Sequence, residues 1–247
     1  MDVLRTVANF VFGMECLGCG TSSERLDPWL CPTCAAELAR EALSPSFPSD
    51  DAFCLFPMRP LTRRLVHALK YRNIPGLASY LVRHSSAVKR GAVGQELSML
   101  AQPLYFVPVP LHRARYRERG YNQAALLAAA LATATGGRVC RWLKRKTFVV
   151  SQTKLSKEER ELNVAGAFVA DFPHKMPARG SVVVVDDVFT TGATTSACLA
   201  AFGTDFLLPL KVCTLIYDEP ASAAADYAAD CWADWDVFRR ENAATRL

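Results

Sequence analysis

Four consecutive valines, Val182, Val183, Val184 and Val185, form an unbroken β-branched apolar run. Such a run predicts a strand buried on both faces. Asp186 and Asp187 follow at once; carboxylates cannot stay in that core, so they are expected to mark the strand's exit to the rim of a sheet. A small-residue loop comes next, then a helix start over 195–202. Residues 104–109 read as a second buried strand, 139–143 as a short one and 211–217 as a further one. Elsewhere the period changes. Leu61, Leu65, Val66 and Leu69 recur at helical spacing, which leaves Arg63, Arg64, His67, Lys70, Tyr71 and Arg72 mostly on the opposite face. An Ala/Leu-rich stretch near 122–134 reads as another helix. Val7 to Met14, broken by Asn9, reads as an amphipathic helix and not a signal peptide, since one Arg, an early Asp2 and no small-residue cleavage site accompany it.

The order strand, acid pair, loop, helix has a chemical meaning. Ligands of open parallel sheets sit at the carboxyl ends of strands, and the free amides of a helix start receive phosphate there. Thr190, Thr191, Gly192, Ala193 and Thr194 offer hydroxyls and a close backbone approach, which suits a terminal phosphate. Asp186 and Asp187 repel phosphate and need another partner. A ribose 2′,3′-diol, met directly or through Mg²⁺, fits two adjacent acceptors. The loop alone therefore points to a ribose 5-phosphate group; the bland alternative is a connecting loop with an N-cap cluster and two solvated acids. The nine residues 186–194 resemble the phosphoribosyl-pyrophosphate (PRPP) signature of the type I phosphoribosyltransferases. The resemblance implies an α/β fold with a central parallel sheet flanked by helices, a PRPP and Mg²⁺ site, and transfer chemistry at the anomeric carbon. It is silent on the acceptor.

Length and charge fit this picture. The chain has 247 residues, 51% of them hydrophobic and 21% charged, enough for one α/β core and a small appendage. Its organisation reads as a small N-terminal helix and cysteine module over 1–50 and a phosphoribosyltransferase-like domain over 51–247. No apolar run approaches the ~18 residues of a membrane span, and the expected location is the cytoplasm. Residues 1–50 carry 3 basic and 7 acidic groups, whereas 51–160 carry 20 and 5 and 161–247 carry 6 and 12. A basic middle between acidic flanks calls for an anionic ligand, for which a polyphosphate and a nucleic-acid strand both qualify.

Two segments supply the cations. After the strand at 104–109 come Arg113, Arg115, Arg117 and Arg119, then Gly120, Tyr121, Asn122 and Gln123 at the next helix start. Guanidinium groups bind phosphate bidentately, so this is the expected pyrophosphate-binding loop, with a solvated basic loop as its alternative. A second segment runs through Lys144, Arg145 and Lys146 to Gln152, Thr153, Lys154, Lys157 and Arg160. A polar loop of that length inside a compact domain is usually functional; it reads as a lid over the leaving pyrophosphate. Asp186 and Asp187 would then stabilise the oxocarbenium-like ribosyl carbon, and Arg113, Arg115, Arg119 and Lys154 the departing anion.

Near the N-terminus Cys16, Cys19, Cys31 and Cys34 form two C-x2-C pairs separated by eleven residues. Four thiolates around a tetrahedral ion make a closed structural Zn²⁺ site, and Gly20 permits the tight turn such a knuckle needs. Two disulfides or a redox dithiol are the rivals. The module lies in an acidic segment, which favours a structural or protein-contact role over phosphate binding. Cys54, Cys140, Cys198, Cys213 and Cys231 lack ligand spacing and read as small buried hydrophobes.

The cysteine module, the Val107-Pro108-Val109-Pro110 run, Arg119-Gly120-Tyr121-Asn122-Gln123, Gln152-Thr153, Arg160, Asn163, Gly166-Ala167-Phe168 and the acid-pair loop occur in that order. Together, over roughly residues 10–217, they resemble the competence protein F family (ComF, ComFC and the GntX proteins). This resemblance implies a cytoplasmic, zinc-bearing, PRPP-binding protein linked to uptake of transforming DNA, with single-stranded DNA and a competence helicase or translocase as partners. It leaves transferase activity open, against a binding module or an adaptor. Residues 221–247, Ala-rich and acidic with Trp232 and Trp235, fit core packing and a partner contact alike.

Overall fold

The computed structural model describes residues 14–23, 26–42, 46–49, 51–85, 92–146 and 166–218. The expected N-terminal helix, Gln152, Thr153, Lys154, Arg160, Asn163, Cys231 and the 221–247 tail lie outside them. The first described elements are a short antiparallel ribbon, β1 (Met14–Glu15) with β2 (Ser22–Ser23), and helix α1 (Pro32–Glu41). Strands β3 (Ser46–Ser49) and β4 (Ala52–Pro57) follow, then helices α2 (Pro60–Tyr71), α3 (Gly76–His84) and α4 (Ala92–Met99). The chain continues through β5 (Leu104–Pro108), α5 (Arg113–Arg119), α6 (Gln123–Thr135), β6 (Arg138–Val139), β7 (Leu143–Arg145), β8 (Phe168–Ala170), β9 (Ser181–Phe189), α7 (Ala193–Ala200) and β10 (Leu210–Tyr217).

The central sheet has the order β3-β4-β10-β9-β5-β6. Five of its strands run parallel, and β3 alone pairs antiparallel, with β4. The four valines sit in β9, with β10 on one side and β5 on the other, and all four are buried. A strand flanked on both sides and covered on both faces needs apolar side chains at every position, which is what the run supplies. Val183 and Val185 join a core with Phe106, Leu127, Leu81 and Leu65, while Val182 and Val184 join the opposite one with Tyr105, Trp142 and Leu199. The cysteine module shares the first core: Cys16, Leu30, Cys34, Leu38 and Ala42 pack with Phe56, Leu61 and Leu65. No helix of the described residues is long and apolar enough to cross a membrane.

Three elements differ from the sequence expectation. The acid pair does not end its strand, because β9 runs on to Phe189 beside β10, with Val188 opposite Ile216 and Phe189 opposite Tyr217. What ends is β5, whose last partner is Val185; the carboxylates emerge where the sheet loses a strand on one side only. The single strand expected over 139–143 is two. Arg138 and Val139 pair with β5 in the main sheet, and Leu143–Arg145 turn away to pair antiparallel with Phe168–Ala170. The basic segment 113–119 is a short helix and not a loop. His112 Nδ1 accepts the Ala114 amide at its start, and Gly120 closes it in the left-handed conformation with φ 78°.

Candidate functional site

Because five strands run the same way, their carboxyl ends share one edge, and the connections leaving β4, β5 and β9 all start there. Helix α2 lies along that edge. It starts just after β4, and its end is tied to the segment following β5, three strands away, by Tyr121, whose hydroxyl donates to the Leu69 carbonyl at 2.6 Å. Twelve residues of helix span about 18 Å, enough to cross three inter-strand gaps of about 4.8 Å, roughly 14 Å in all.

Under this helix stand the two acids. Asp187 takes an ion pair from Lys70 of α2, Nζ to Oδ2 3.2 Å. Asp186 is half-buried, and its Oδ1 accepts the Asp187 amide at 2.8 Å. Burial first, then the neighbouring Asp187 charge, pushes the Asp186 carboxyl up to about 7; the Asp187 amide, Lys70 and Arg145 pull the other way. Lys70 of α2 thus acts on both carboxylates, and Arg145 of β7 acts on Asp186 as well. The sequence placed Lys70 on a polar helix face and Arg145 in the expected lid, but tied neither of them to the acid pair. The signal for Lys70 was its place at the seam of the α2 apolar stripe, one residue after Leu69 and four after Val66.

Past the acids, the loop to α7 brings Thr190, Thr191, Gly192, Ala193 and Thr194 together as one turn. Gly192 is the N-cap, with φ 79°, a conformation that glycine adopts without strain. Its carbonyl accepts the Ser196 amide at 2.8 Å and the Thr195 hydroxyl at 2.8 Å. The amides of the first helical turn have no intrahelical acceptor; Thr191 Oγ1 reaches the Ala193 amide only at 3.5 Å. The acids lie in the last part of β9, and the free amides of α7 begin six residues after Asp187, past the end of the strand at Phe189.

The four arginines separate. On a helix, alternate residues turn by about 200°, so Arg113 and Arg117 share one side and Arg115 and Arg119 the other. Arg113 and Arg117 are exposed. Arg115 pairs with Glu118 at 2.9 Å. Arg119 bonds Gln123 Oε1 at 3.0 Å and stacks over the Tyr71 ring, 5.3 Å from its centroid. Arg119 to Gln123 is therefore a fastener as well as a candidate ligand segment: Asn122 caps α6 through Ala124 (3.0 Å) and donates to the Val109 carbonyl (2.9 Å). Where the expected lid begins, Lys146 and Ala167 close the β7–β8 ribbon (2.8 Å), and Lys144 pairs with Asp171 (2.8 Å); Lys154 is not among the described residues.

The second cluster is the cysteine module. The sulfurs of Cys16, Cys19, Cys31 and Cys34 all lie within 4.8 Å of one another, with Cys19 and Cys31 at 3.9 Å. Four sulfurs at ~2.3 Å from a tetrahedral ion stand ~3.8 Å apart, whereas a disulfide needs ~2.05 Å. All four are free thiols, and the set fits a metal. A Cβ on Gly18 would come within 2.7 Å of Cys34 Sγ, so the knuckle closes around the sulfur where only glycine fits. Hydrogen bonds from the Thr21 hydroxyl and amide hold Cys19 down to about 6, while burial and the other sulfurs push Cys34 up. Gly20 takes the expected tight turn, with φ 77° and its amide on the Cys16 carbonyl at 2.8 Å. Cys54, Cys198 and Cys213 are buried as expected, and Cys140 is half-buried.

No family model matches the chain. Among characterised proteins it is similar to the DNA utilization protein YhgH of Salmonella typhimurium, 31% identical over 179 residues, 67% of this chain and 74% of that protein. It is 34% identical to competence protein F of Haemophilus influenzae over 140 residues, 53% of this chain and 56% of the relative's length. Competence protein ComFC of Bacillus subtilis matches at 35% over 88 residues, 36% of this chain and 33% of its own. Among solved structures, adenine phosphoribosyltransferase from Saccharomyces cerevisiae, complexed with an imino-altritol bisphosphate and adenine, aligns over 76% of this chain and 89% of its own. The TM-score is 0.37 and the identity 16%, a level that adds nothing to the topology above. With 31% identity sustained across 74% of the YhgH length, the chain belongs to the competence protein F/YhgH family.

Proposed function

We propose that this protein binds Mg²⁺·PRPP at the carboxyl edge of its parallel sheet, in the service of DNA uptake and utilization in the cytoplasm. The observation that carries the reading is the junction of β9 and α7, where half-buried carboxylates and the open amides of a helix start leave one strand end. The 5-phosphate lies against Thr190, Thr191, Gly192, Ala193 and Thr194. The ribose diol and the divalent cation are held by Asp186 and Asp187, whose hard oxygen atoms suit Mg²⁺. A divalent cation held there would supply charge neutralisation for the pyrophosphate. Arg113 is exposed and open to that anion, while Arg115 and Arg119 reach it by exchanging Glu118 and Gln123 for phosphate oxygens; Lys154 comes from the lid segment. In transfer, the bond from C1′ to pyrophosphate oxygen breaks with its electron pair on the leaving group, and the acceptor's nucleophile forms the new bond and gives up its proton. Cys16, Cys19, Cys31 and Cys34 would hold a structural Zn²⁺, which would join the β1–β2 ribbon to the start of α1.

Calorimetry of PRPP with Mg²⁺ tests the site, comparing the wild type with the double variant Asp186→Ala/Asp187→Ala. Binding is expected in the first and not in the second; equal binding, or none in either, refutes the site as drawn. Pyrophosphate release across a panel of bases, amines and nucleic acids then separates a transferase from a binding protein.

One observation favours a second, non-catalytic reading. Tyr71 is 52% exposed at the end of α2, with the His67 ring 4.8 Å away and the Arg119 guanidinium over it. An aromatic face among cations is a stacking platform for single-stranded DNA, and a helicase or translocase of the uptake machinery would then be the partner that delivers the strand. Loss of affinity in Tyr71→Ala, with a steep salt dependence, is the expected result; unaltered affinity removes the platform from consideration.

A further inference from the structure

At the edge described above, one cation reaches an acid from a different layer of the fold. Lys70 comes from α2, Asp187 from β9, and they meet at 3.2 Å with side chains only 22% and 15% exposed. The helix that carries Lys70 is held in place on both sides of it. Leu69 gives its carbonyl to Tyr121, and Tyr71 stacks under Arg119 and against His67. The ammonium group itself hangs on a flexible four-carbon stem, which can swing while the helix stays still.

We propose that Lys70 is the resident counter-cation of the acid pair: it neutralises Asp187 when the edge is empty and competes with the divalent cation for that carboxylate when ligand arrives. The inference rests on the proposed Mg²⁺·PRPP site and deepens it by naming a positioning residue that sets how much metal the site requires. The physical reason is mutual exclusion. An ammonium group at 3.2 Å occupies the carboxylate oxygen a metal would use, and two cations on one side of a half-buried carboxylate repel each other. A protein without Lys70 would leave the like charges of Asp186 and Asp187 offset by Arg145 alone, a costlier arrangement in the absence of metal. With Lys70 present, Asp187 is neutralised at the empty edge, and the carboxylate is handed to a divalent cation only when that cation offers more.

The test uses the full chain with Mn²⁺ as the probe, read through water-proton relaxation in the presence of a fixed concentration of PRPP. Lys70→Met removes the competing charge and is expected to lower the Mn²⁺ concentration at half-saturation roughly tenfold. Lys70→Arg keeps the charge and is expected to stay near the wild type. A residue with a merely structural role would weaken binding when replaced; a gain in metal affinity is specific to competition. Half-saturation in Lys70→Met that is unchanged or shifted upward, with wild-type binding intact and the variant folded by circular dichroism, overturns the inference and leaves the PRPP site standing. Absence of Mn²⁺ binding from both proteins overturns the site itself, and the competition with it.

Discussion

Replacing Asp186 with Asn probes the electrostatics of the edge directly. The carboxyl is held up to about 7 against an ordinary value of 3.8, by burial and then by Asp187. An acid of raised folded-state pKa binds protons more readily folded than unfolded. Its contribution to stability is therefore best at low pH, declines as pH rises from about 4 to about 7, and is worst above the folded value. Between pH 5 and pH 8 the cost grows over about two pH units, at about 1.4 kcal/mol each, for a ceiling of roughly 3 kcal/mol. Partial exposure brings the expectation to about 2 kcal/mol. Asn keeps an oxygen for the Asp187 amide, which Asp186 holds at 2.8 Å, and carries no charge. Urea unfolding of both proteins at pH 5 and pH 8 should show Asp186→Asn gaining on the wild type by about 2 kcal/mol across that interval. The thiol cluster titrates alike in both, so the difference isolates this one carboxyl. An advantage that does not change with pH, or a variant that loses ground at pH 8, refutes the burial argument. Mg²⁺·PRPP binding should fall in the same variant even as stability rises, because the buried charge that strains the fold is the one the ligand needs.

Gly18→Ala places a Cβ 2.7 Å from Cys34 Sγ and 2.8 Å from Leu61 Cδ1. It should cost about 1–3 kcal/mol by overpacking and speed metal loss to a chelator. Gly20→Ala meets nothing within 4 Å but sits at φ +77°; it should cost about 1–2 kcal/mol of backbone strain with bound metal unchanged. Metal-to-protein ratios and thermal melts check the pair. Asn122→Ala removes both the α6 cap and the bond to Val109, for an expected loss of about 1–2 kcal/mol in urea at constant m-value. Tyr121→Phe loses the 2.6 Å bond to Leu69 and should cost about 1 kcal/mol, seen as a lower thermal midpoint.

Much of the fold was legible because the sheet writes itself in short apolar runs. The four valines, the 104–109 run and the 211–217 run each became a parallel strand, since a doubly covered strand tolerates nothing else. The order of strand, acid pair, loop and helix was legible too, but not where the strand ends, because β10 carries β9 on past the acids to Phe189. What was not legible depended on partners distant in sequence. The pairing of Lys70 with Asp187 joins a helix to a strand that follows it by more than half the described chain. The bend after Val139 exists because Leu143–Arg145 finds Phe168–Ala170 across the intervening segment. The 113–119 helix is short and dense in like charge, a poor helix by propensity; its caps at His112 and Gly120 and the Arg115–Glu118 pair supply what the pattern lacked. In the same way, Arg119 to Gln123 carried a chemical signal, and its packing role emerged only when Tyr71, Leu69 and Val109 came within reach.

The apolar face that Leu30, Cys34, Leu38 and Ala42 share with Phe56, Leu61 and Leu65 bears on how this protein can be cut. The motifs suggest a boundary near residue 50, yet the interior does not divide there. Trp29 stands edge-on to Tyr80, 5.4 Å between centroids, and a Cβ on Gly76 would strike the same indole. A truncation beginning at residue 51 would lay open the side of α2 that faces Leu38 and the side of α3 that faces Trp29. Such a fragment should be insoluble or sticky, however complete its acid-pair loop. The cysteine module is thus a wall of the building that carries the carboxyl edge of the sheet, and the smallest stable piece of this protein includes it.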